Sequence, residues 1–340
     1  MRIYLCSDFQ SLIKQSGIGR AMLHQQMALD EQRVPYTTIG EEPYDIIHIN
    51  TLFPQSYLKA KRARRAGKAV IYHGHSTIED FRNSYFFANA LAPLFGWWLK
   101  KCYQSADLLL TPSDYSKSLI EAYKIEVPIA VISNGIDLNY WKSSEQEQKY
   151  FRETYAISPD DKLIISVGHQ IKRKGILDFV AMAKALPDYQ FIWFGYTDKK
   201  LLPKEIVQAV ETDLPNLQFP GYIERDSLRV AYQACDLYVF LTHEETEGIV
   251  LLEALASKTP TLVRDIPVFN FYKAGETLYK GQTLNDFISY TQEIVQGQRP
   301  SLVENAYKKV SEKSIERVGE ELKKNYLRVL SIKKESTKSV

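Results

Sequence analysis

The chain has few cysteines, no CxxC pair and no long uninterrupted apolar run, and each absence excludes a class of protein. Its three cysteines, Cys6, Cys102 and Cys235, lie far apart, which argues against a disulfide or zinc framework and favours a reducing cytosol. The N-terminal apolar run is too short for an export signal. The longest uncharged span, 83–99, contains a proline and a glycine, whereas a membrane-spanning helix takes about 20 mainly apolar residues.

The net charge of +2 is close to balance, but the basic residues are unevenly distributed. Residues 51–125 hold 11 Lys and Arg against 5 Asp and Glu. A local cationic excess indicates an anionic partner surface on one part of the molecule. Nothing in this distribution predicts a nucleic-acid partner.

Short apolar β-type runs alternate with helix-length stretches in two series. They lie at 3–6, 45–50, 69–72, 107–111 and 129–132, then at 163–168, 191–195, 217–221, 236–241 and 261–264. Strands separated by helices imply right-handed crossovers and parallel sheets. The sequence therefore predicts two doubly wound, Rossmann-like α/β domains facing across a cleft, with the strand carboxyl ends pointing into it.

A charged, weakly apolar stretch near Lys142–Lys149 separates the two series. We place the N-terminal domain at 1–145 and the C-terminal domain at 146–310. Residues 311–340 are expected to form a C-terminal helical segment and tail that can pack back on the N-terminal domain.

Two candidate sites follow strands of the first series. Gly17 and Gly19 precede a helical stretch, where small residues let a ligand approach and the helix N-terminus favours an anion. The alternative is a flexible loop and a helix start, because the third glycine of a dinucleotide fingerprint is missing. His73 and His75 alternate, so on an extended chain they point to opposite faces. No third metal ligand is evident near them, and either one can be a buried, hydrogen-bonded histidine.

A third candidate follows the first strand of the second series. Arg173 and Lys174 precede Gly175 and a helical stretch. Two cations at the carboxyl end of a strand can neutralise a diphosphate. The alternative is a solvated loop.

The stretch HEETEGIVLLEALA, 243–256, gathers glutamates at the start of an apolar helix. A carboxylate near a helix N-terminus gains ~0.3–1 kcal/mol from the helix dipole, which explains one or two of them. It does not explain Glu253, about one turn inside the helix. A carboxylate there suits a vicinal diol such as a ribose, which donates two hydrogen bonds.

Taken together, these motifs resemble the retaining family 4 glycosyltransferases of the GT-B fold. Glu245 and Glu253, with seven residues between them, match the hallmark glutamate pair of that family. SNGID at 133–137 and FPGYIERDSLRVAYQACDLYVFLT at 219–242 resemble two further family segments. The resemblance covers nearly the whole chain, with the motifs in the family's order.

The resemblance implies a nucleotide-sugar donor, by family habit a UDP-sugar, and a role for each motif residue. Glu253 would bind the ribose, Glu245 the hydroxyls of the transferred sugar, and Lys174, with Arg173, the diphosphate. Backbone amides near the helix start would add to the phosphate site, those of Gly248, Ile249 and Val250. His75 would lie near the transferred sugar, and Gly17 and Gly19 would match a glycine loop approaching the donor phosphates or the acceptor.

Three positions depart from the family pattern. His169 stands where an arginine is usual, which removes one expected phosphate cation, and Arg173 is expected to replace it. Glu247 and Thr259 stand where an aromatic residue and a glycine are common. Since cations and helix-terminal amides stabilise the leaving diphosphate, we expect neither a divalent metal nor a cofactor.

The acceptor is suggested by a basic stretch and an aromatic stretch in the N-terminal domain. Residues 57–68 contain six cations, and residues 84–101 interleave aromatic side chains with lysines. This combination is typical of a protein that lies on an anionic membrane, while the alternative is a solvated helix face plus a core helix. The candidate membrane or acceptor residues are Lys59, Arg62, Arg64, Arg65, Phe86, Phe87, Trp97, Trp98, Lys100 and Lys101.

The segments MRIYLCSDFQSLIKQSGIGRA and YHGHSTIEDFRNS resemble a narrower group, Gram-positive enzymes that add a second hexose to a monohexosyl-diacylglycerol. That resemblance implies transfer of glucose or galactose to monoglucosyl-diacylglycerol, as in lipoteichoic acid anchors, by a cytoplasmic enzyme peripheral to the inner membrane face. Three alternatives remain open: a soluble or polyprenyl-linked glycan acceptor, a noncatalytic membrane-binding protein of the same fold, and a dinucleotide-dependent oxidoreductase. The last needs the glycine fingerprint that is defective here.

Overall fold

The computed structural model describes residues 1–8 and 16–338, with side chains up to residue 334. The chain divides into two compact units. The first comprises Met1–Glu79, Ala90–Ile136 and Lys313–Val340, and the second comprises Asp80–Asn89 and Asp137–Glu312. A short segment of the N-terminal half thus belongs to the second unit.

Each unit contains one six-stranded sheet in which every neighbouring pair of strands is parallel. The strand orders are β2-β1-β3-β4-β5-β6 and β12-β11-β10-β7-β8-β9. The predicted α/β class with two parallel sheets is confirmed. The strands are β1 (Ile3–Cys6), β2 (Tyr36–Thr37), β3 (Ile46–Ile49), β4 (Ala69–His73), β5 (Leu108–Thr111), β6 (Ile129–Val131), β7 (Lys162–Val167), β8 (Tyr189–Phe194), β9 (Leu217–Gly221), β10 (Leu237–Phe240), β11 (Thr261–Arg264) and β12 (Tyr279–Gly281).

Helices follow most strands, as the crossover rule requires. Several begin with a side-chain cap: Ser113, Ser144 and Thr283 each bond a first-turn amide and receive a bond back. In the described residues the helices are α1 (Gly17–Glu31), α2 (Pro54–Arg65), α3 (Ile78–Phe81), α4 (Ala88–Tyr103), α5 (Asp114–Ala122), α6 (Glu145–Thr154), α7 (Ile176–Ala185), α8 (Lys204–Val210), α9 (Arg225–Ala234), α10 (Ile249–Ala256), α11 (Leu284–Val295), α12 (Val303–Val310) and α13 (Ile315–Lys338).

The first unit has an apolar core on each face of its sheet. Strand β4 shows the alternation: Ala69 and Ile71 belong to one core cluster, and Val70 and Tyr72 to the other. Helices α1 and α13 cover the first cluster, and α13 contributes Tyr326 to it. Because both faces are covered, the polar ends of the strands are where this unit can build a ligand site.

The second unit is built in the same way. Aromatic side chains fill the core between α7 and β8, where the ring centroids of Phe179 and Trp193 lie 5.3 Å apart. The two strands that sequence periodicity did not predict, β2 and β12, are only two and three residues long and lie at sheet edges. Within the described part of the chain, no helix combines the length and apolar character needed to cross a membrane.

Candidate functional site

The carboxyl ends of β7 and β10 bring two candidate residues together. These strands are neighbours in the sheet, so the loops that follow them meet. A 3₁₀ turn at Lys172–Lys174 presents Lys174, whose Nζ donates to Glu245 Oε1 on the loop after β10. Thr242 Oγ1 donates to the same carboxylate oxygen across 3.3 Å. Both charged side chains are mostly buried, with 14% and 8% of their surface exposed.

Two glycines allow these loops to approach so closely. Gly175 has φ +82°, and a Cβ there would lie 2.3 Å from the Leu241 carbonyl oxygen. Gly248 has φ +86°, and its Cβ would lie 2.9 Å from the Phe240 ring. Any other side chain would be strained in its backbone conformation and blocked at both positions. The glycines after Lys174 and Glu247 therefore set the geometry of the Lys174–Glu245 pair.

Burial shifts the protonation of the charged groups around this pair. Desolvation lowers the pKa of Lys174, and the Glu245 carboxylate opposes that shift. Desolvation raises the pKa of Asp80, and the Arg173 guanidinium opposes it. An anionic ligand at Lys174 would therefore interact in a medium that screens charge less than water does.

Arg173 is engaged by protein atoms. Its Nη1 donates to Asp80 Oδ1 at 2.8 Å and to the Glu244 carbonyl oxygen at 2.7 Å. Its Nε donates to Ser84 Oγ at 3.2 Å, and its backbone N–H donates to the Asn83 carbonyl oxygen at 3.2 Å. Sequence reasoning missed Asp80 and Ser84, because no local pattern marks them and Ser84 lies 89 positions before its partner.

Glu253 lies within α10 and is 1% exposed. Tyr232 Oη lies 3.3 Å from its Oε2 and also donates to the Val250 carbonyl oxygen at 3.1 Å. The helix begins at Ile249 with Gly248 as its N-cap, so the predicted phosphate-binding amides belong to its first turn. Tyr232 is a contact that the sequence motif did not identify.

His169 does not replace the missing arginine as a cation. Its Nδ1 is 3.1 Å from the Tyr196 carbonyl oxygen, which makes Nδ1 the donor. Desolvation and the nearby Lys174 and Arg173 lower its pKa below the usual 6.5. This shift favours the neutral imidazole.

In the first unit, His73 and His75 do not point to opposite faces, so that prediction was wrong. Their rings stack with centroids 4.1 Å apart and planes 5° apart. The alternation fails because β4 ends at His73 and the chain turns through Gly74, where the His75 N–H donates to the His73 carbonyl oxygen at 3.0 Å.

A third histidine extends the stack. The His48 and His73 rings lie 5.4 Å apart, and the Tyr326 hydroxyl lies 2.8 Å from His48 Nδ1. His48 Nε2 and Gln25 Nε2 both approach His73 Nδ1, at 3.2 and 3.0 Å. Because the Gln25 amide is a donor, His73 Nδ1 must accept, so His48 carries its proton on Nε2 and accepts the Tyr326 proton on Nδ1.

Asn50 completes this network, which we call the histidine cluster: Gln25, His48, Asn50, His73, His75 and Tyr326. Asn50 Oδ1 accepts from Gln25 Nε2 at 2.8 Å and from His75 Nε2 at 2.9 Å. The neutral His75 therefore carries its proton on Nε2 and offers Nδ1 as an acceptor.

Burial keeps the imidazoles neutral. It lowers the pKa of His48 and of His75 to about 3, and that of His73 well below its ordinary value. Within the described ranges, no group of three or more His, Cys, Asp or Glu side chains is arranged to hold a metal ion. The cluster is thus a source of directional hydrogen bonds without charge.

Gly17 and Gly19 lie in the first turn of α1. The Ser16 hydroxyl caps that helix by accepting from the Gly19 N–H at 3.3 Å. Among the described residues, a Cβ at Gly17 would meet no atom within 4 Å, so these residues leave room there for a ligand or a side chain. Residues 9–15 of the predicted glycine loop lie outside the described residues.

The cations of the predicted basic surface on α2 differ in whether a carboxylate lies near them. Lys59 Nζ is 2.5 Å from Oδ1 of the buried Asp8, and Arg64 lies 3.9 Å from Asp107. Arg62 and Arg65 are exposed. Arg62 and Arg65 therefore contribute positive charge at the exposed surface of this helix.

Helix α4 exposes apolar side chains at helical spacing. Leu91, Leu94 and Trp97 are 48%, 62% and 57% exposed, and Lys101 Nζ lies 4.9 Å from the Trp97 ring centroid. Trp98 is half-buried and donates from Nε1 to the Leu52 carbonyl oxygen at 2.6 Å.

The remaining residues of the predicted membrane set divide in the same way. Phe86 and Phe87, just before α4, are 60% and 65% exposed. Lys100, by contrast, lies 5.7 Å from the Tyr123 ring centroid and is only partly exposed.

Two family models match the chain in succession. Residues 26–140 match the model described as Glycosyltransferase Family 4, and residues 147–281 match the one described as Glycosyl transferases group 1. The chain is 39% identical over 338 residues to the processive diacylglycerol alpha-glucosyltransferase of Acholeplasma laidlawii, covering 98% of this chain and all of that relative. It is 24% identical to the alpha-galactosylglucosyldiacylglycerol synthase of Streptococcus pneumoniae, over 68% of this chain and 63% of that relative.

Solved structures show the same fold at lower identity. The Anabaena protein HepE in complex with UDP-glucose aligns with a TM-score of 0.75 and 16% identity, covering 96% of this chain and 99% of that one. Sucrose-phosphate synthase from Thermosynechococcus elongatus aligns with a TM-score of 0.70 and 20% identity, covering 85% and 74%. At these identities the likeness concerns the fold.

Proposed function

We propose, because this chain belongs to the family 4 glycosyltransferases of the GT-B fold, that it transfers a hexose from a UDP-sugar to a membrane glycolipid. The acceptor we propose is monoglucosyl-diacylglycerol, and the product a dihexosyl-diacylglycerol. The observation that carries this proposal is the 39% identity to a diacylglycerol glucosyltransferase along almost the full length of both chains. The hexose is glucose or galactose.

The second unit supplies the donor site in this proposal. Lys174 leaves Glu245 and meets the diphosphate, assisted by the amides at the start of α10. Glu245 then accepts hydrogen bonds from the transferred sugar, and Glu253 holds the ribose. Lys174 and the amides at the start of α10 stabilise the charge developing on the leaving UDP, so no divalent metal is required.

Transfer proceeds with retention of configuration. The acceptor hydroxyl attacks from the face that the UDP leaves, and its proton passes late to the leaving phosphate oxygen. No protein nucleophile is assigned. The relative named above forms an alpha linkage, which is the product that retention gives from an alpha-linked UDP-hexose.

The membrane is reached by peripheral association at the inner face. The exposed apolar face of α4 can enter the headgroup region, while the exposed cations of α2 meet anionic lipids. This arrangement would hold the first unit where a glycolipid headgroup is presented.

A donor-by-acceptor screen tests the proposal. UDP-glucose and UDP-galactose are each offered with diacylglycerol or monoglucosyl-diacylglycerol in anionic vesicles, with and without EDTA. We expect a dihexosyl-diacylglycerol with an alpha linkage by NMR, formed equally well in EDTA. Transfer only to soluble or polyprenyl-linked glycans would contradict the acceptor, a beta linkage would contradict retention, and loss of activity in EDTA would contradict metal independence.

A further inference from the structure

Four charged side chains of the second unit form two adjoining ion pairs, which we call the charged quartet. Arg173 pairs with Asp80, and Lys174 pairs with Glu245. The pairs are close enough to exchange partners, since Arg173 Nη1 is only 4.0 Å from Glu245 Oε1. With two positive and two negative groups, the quartet is formally neutral.

Asp80 belongs to the segment Asp80–Asn89, which reaches the second unit from the N-terminal half of the chain. The segment is anchored at three further points. Asn83 accepts from the Arg173 backbone, Ser84 accepts from Arg173 Nε, and the Phe86 N–H donates to the Leu201 carbonyl oxygen at 3.1 Å. Arg173 is thus held on several sides by groups that do not belong to a ligand.

From these contacts we infer that Asp80 is a positioning residue, which keeps Arg173 in a structural role as a clamp on the segment 80–89. Among the described residues, this leaves Lys174 as the single side-chain cation for the donor diphosphate. This inference rests on the proposed function for the identity of the donor. It revises the expectation that Arg173 takes the place of the missing family arginine. Asp80 acts through Arg173 and does not touch the substrate.

The physical reason lies in the competition for Glu245. If Asp80 loses its charge, the quartet becomes net positive and the nearest remaining carboxylate for Arg173 is Glu245, at 4.0 Å. A guanidinium can donate two parallel hydrogen bonds to a carboxylate, whereas an ammonium acts as a point charge. Glu245 would then be bound by Arg173 and unavailable to the sugar, while two cations would face the diphosphate.

The test is Asp80→Asn in the full chain, assayed on anionic vesicles carrying monoglucosyl-diacylglycerol. We expect kcat to fall about 10²-fold, the effect of a displaced catalytic group, while UDP binds at least as tightly as to the wild type. A residue that only stabilised the fold would weaken both. Glu205→Gln is the matched control, because it breaks the exposed Lys172–Glu205 pair on the same 3₁₀ turn and should change neither quantity.

A second comparison separates the two cations. UDP affinity by calorimetry should fall sharply in Lys174→Met and stay within a few-fold of the wild type in Arg173→Gln. The double variant Asp80→Asn with Arg173→Gln should recover part of the kcat lost in Asp80→Asn alone, since no free guanidinium then competes for Glu245. Equal loss of UDP affinity in both single variants, or no recovery in the double variant, would overturn the inference.

Two further results distinguish the inference from the proposed function. If wild-type protein binds UDP and transfers a hexose but Asp80→Asn behaves like Glu205→Gln, only the role of Asp80 is wrong. If the wild type neither binds UDP nor transfers a hexose, the proposed function and this inference both fail. Hydrogen exchange in the peptide covering 80–89 gives a readout without activity: exchange should be faster in Arg173→Gln than in the wild type, and equal exchange would contradict the clamp.

Discussion

The strands of the two sheets of this enzyme end in polar clusters, one made of charged side chains and the other of uncharged ones. In the second unit, the charged quartet lies at the strand ends, with Asp80 supplied by the segment Asp80–Asn89, and each charge has a partner of the opposite sign. In the first unit, they carry the histidine cluster, whose imidazoles are held neutral by burial. The same position in the same architecture therefore supports two kinds of chemistry.

The difference follows from what each cluster buries with its ionisable groups. A buried ammonium keeps its charge when a carboxylate lies against it, as Lys174 has Glu245. A buried imidazole that meets only amides, a hydroxyl and other imidazoles has no such partner, and it releases its proton. A charged site suits a diphosphate, whereas a neutral network suits sugar hydroxyls, which both donate and accept.

The largest expected effect comes from removing the charge of Glu245. In Glu245→Gln we expect kcat to fall about 10³-fold, comparable to losing a buried charge-assisted contact to the transition state. Glu211→Gln is the control, because Glu211 is an exposed carboxylate paired with Lys199. The measurement is hexose transfer to monoglucosyl-diacylglycerol, with circular dichroism to verify the fold. Turnover close to that of the wild type would refute the role of Glu245.

The neutral cluster makes a prediction about stability. The pKa of His48 is about 3 in the folded protein, against 6.5 for an ordinary histidine, so below pH 6.5 the unfolded chain binds a proton that the folded one does not. Stability is therefore lost as pH falls from 6.5 towards 3, by about 2 kcal/mol from His48 alone at pH 5.

Urea unfolding of the wild type and of His48→Gln at pH 7.5 and pH 5 measures this difference. The wild type should lose about 2 kcal/mol more than the variant between the two pH values, since only the wild type can take up that proton on unfolding. His243→Gln controls for the loss of an imidazole at an exposed position. Equal losses in all three proteins would show that His48 is not held neutral.

Much of this arrangement was predictable from local sequence patterns. Apolar runs located ten of the strands, and the spacing of Glu245 and Glu253 marked the loop and helix that carry them. Strands β2 and β12 were not predicted, because an edge strand of two or three residues is too short to show a periodicity. A local sequence pattern can predict structure when the residues that form it are close in sequence and belong to the same strand, loop or helix.

The contacts that distinguish the two clusters were not predictable in this way. Asp80 contacts Arg173 because the short segment Asp80–Asn89 belongs to the second unit, and no sequence motif predicts that assignment. His48 and Tyr326 meet across 278 positions. The stacking of His73 on His75 depends on a turn at Gly74, which ends the strand geometry that the alternation assumed.

A smaller effect is expected when charge is introduced into the neutral cluster. In Asn50→Asp, a carboxylate would lie where Asn50 Oδ1 now accepts from His75 Nε2 at 2.9 Å, which favours the imidazolium and raises the pKa of His75. If neutral His75 serves the sugar, kcat/KM should be up to about tenfold lower at pH 5 than at pH 8 in the variant, since a neighbouring carboxylate raises a pKa by about 1–3 units. Wild-type His75, with its pKa of about 3, should add no such step above pH 5.

The matched variant for that profile is Asn50→Ala, which removes the hydrogen bond without adding charge. It should lower kcat/KM by a similar factor at every pH, so its profile keeps the wild-type shape. A flat profile for Asn50→Asp would mean that His75 either stays neutral beside a carboxylate or plays no part in turnover.

The smallest expected effect concerns the exposed cations on the surface of the first unit. Arg62 is exposed on α2, and no ion pair of its side chain is found among the residues that the structure describes. One cation near an anionic membrane contributes about 1 kcal/mol, so Arg62→Ser should bind anionic vesicles about fivefold more weakly at low salt. The difference should shrink as added salt screens the charge. Lys204→Ser, an equal charge change at an exposed position of the second unit, should bind like the wild type, and an equal loss in both variants would mean that net charge, rather than the α2 surface, governs binding.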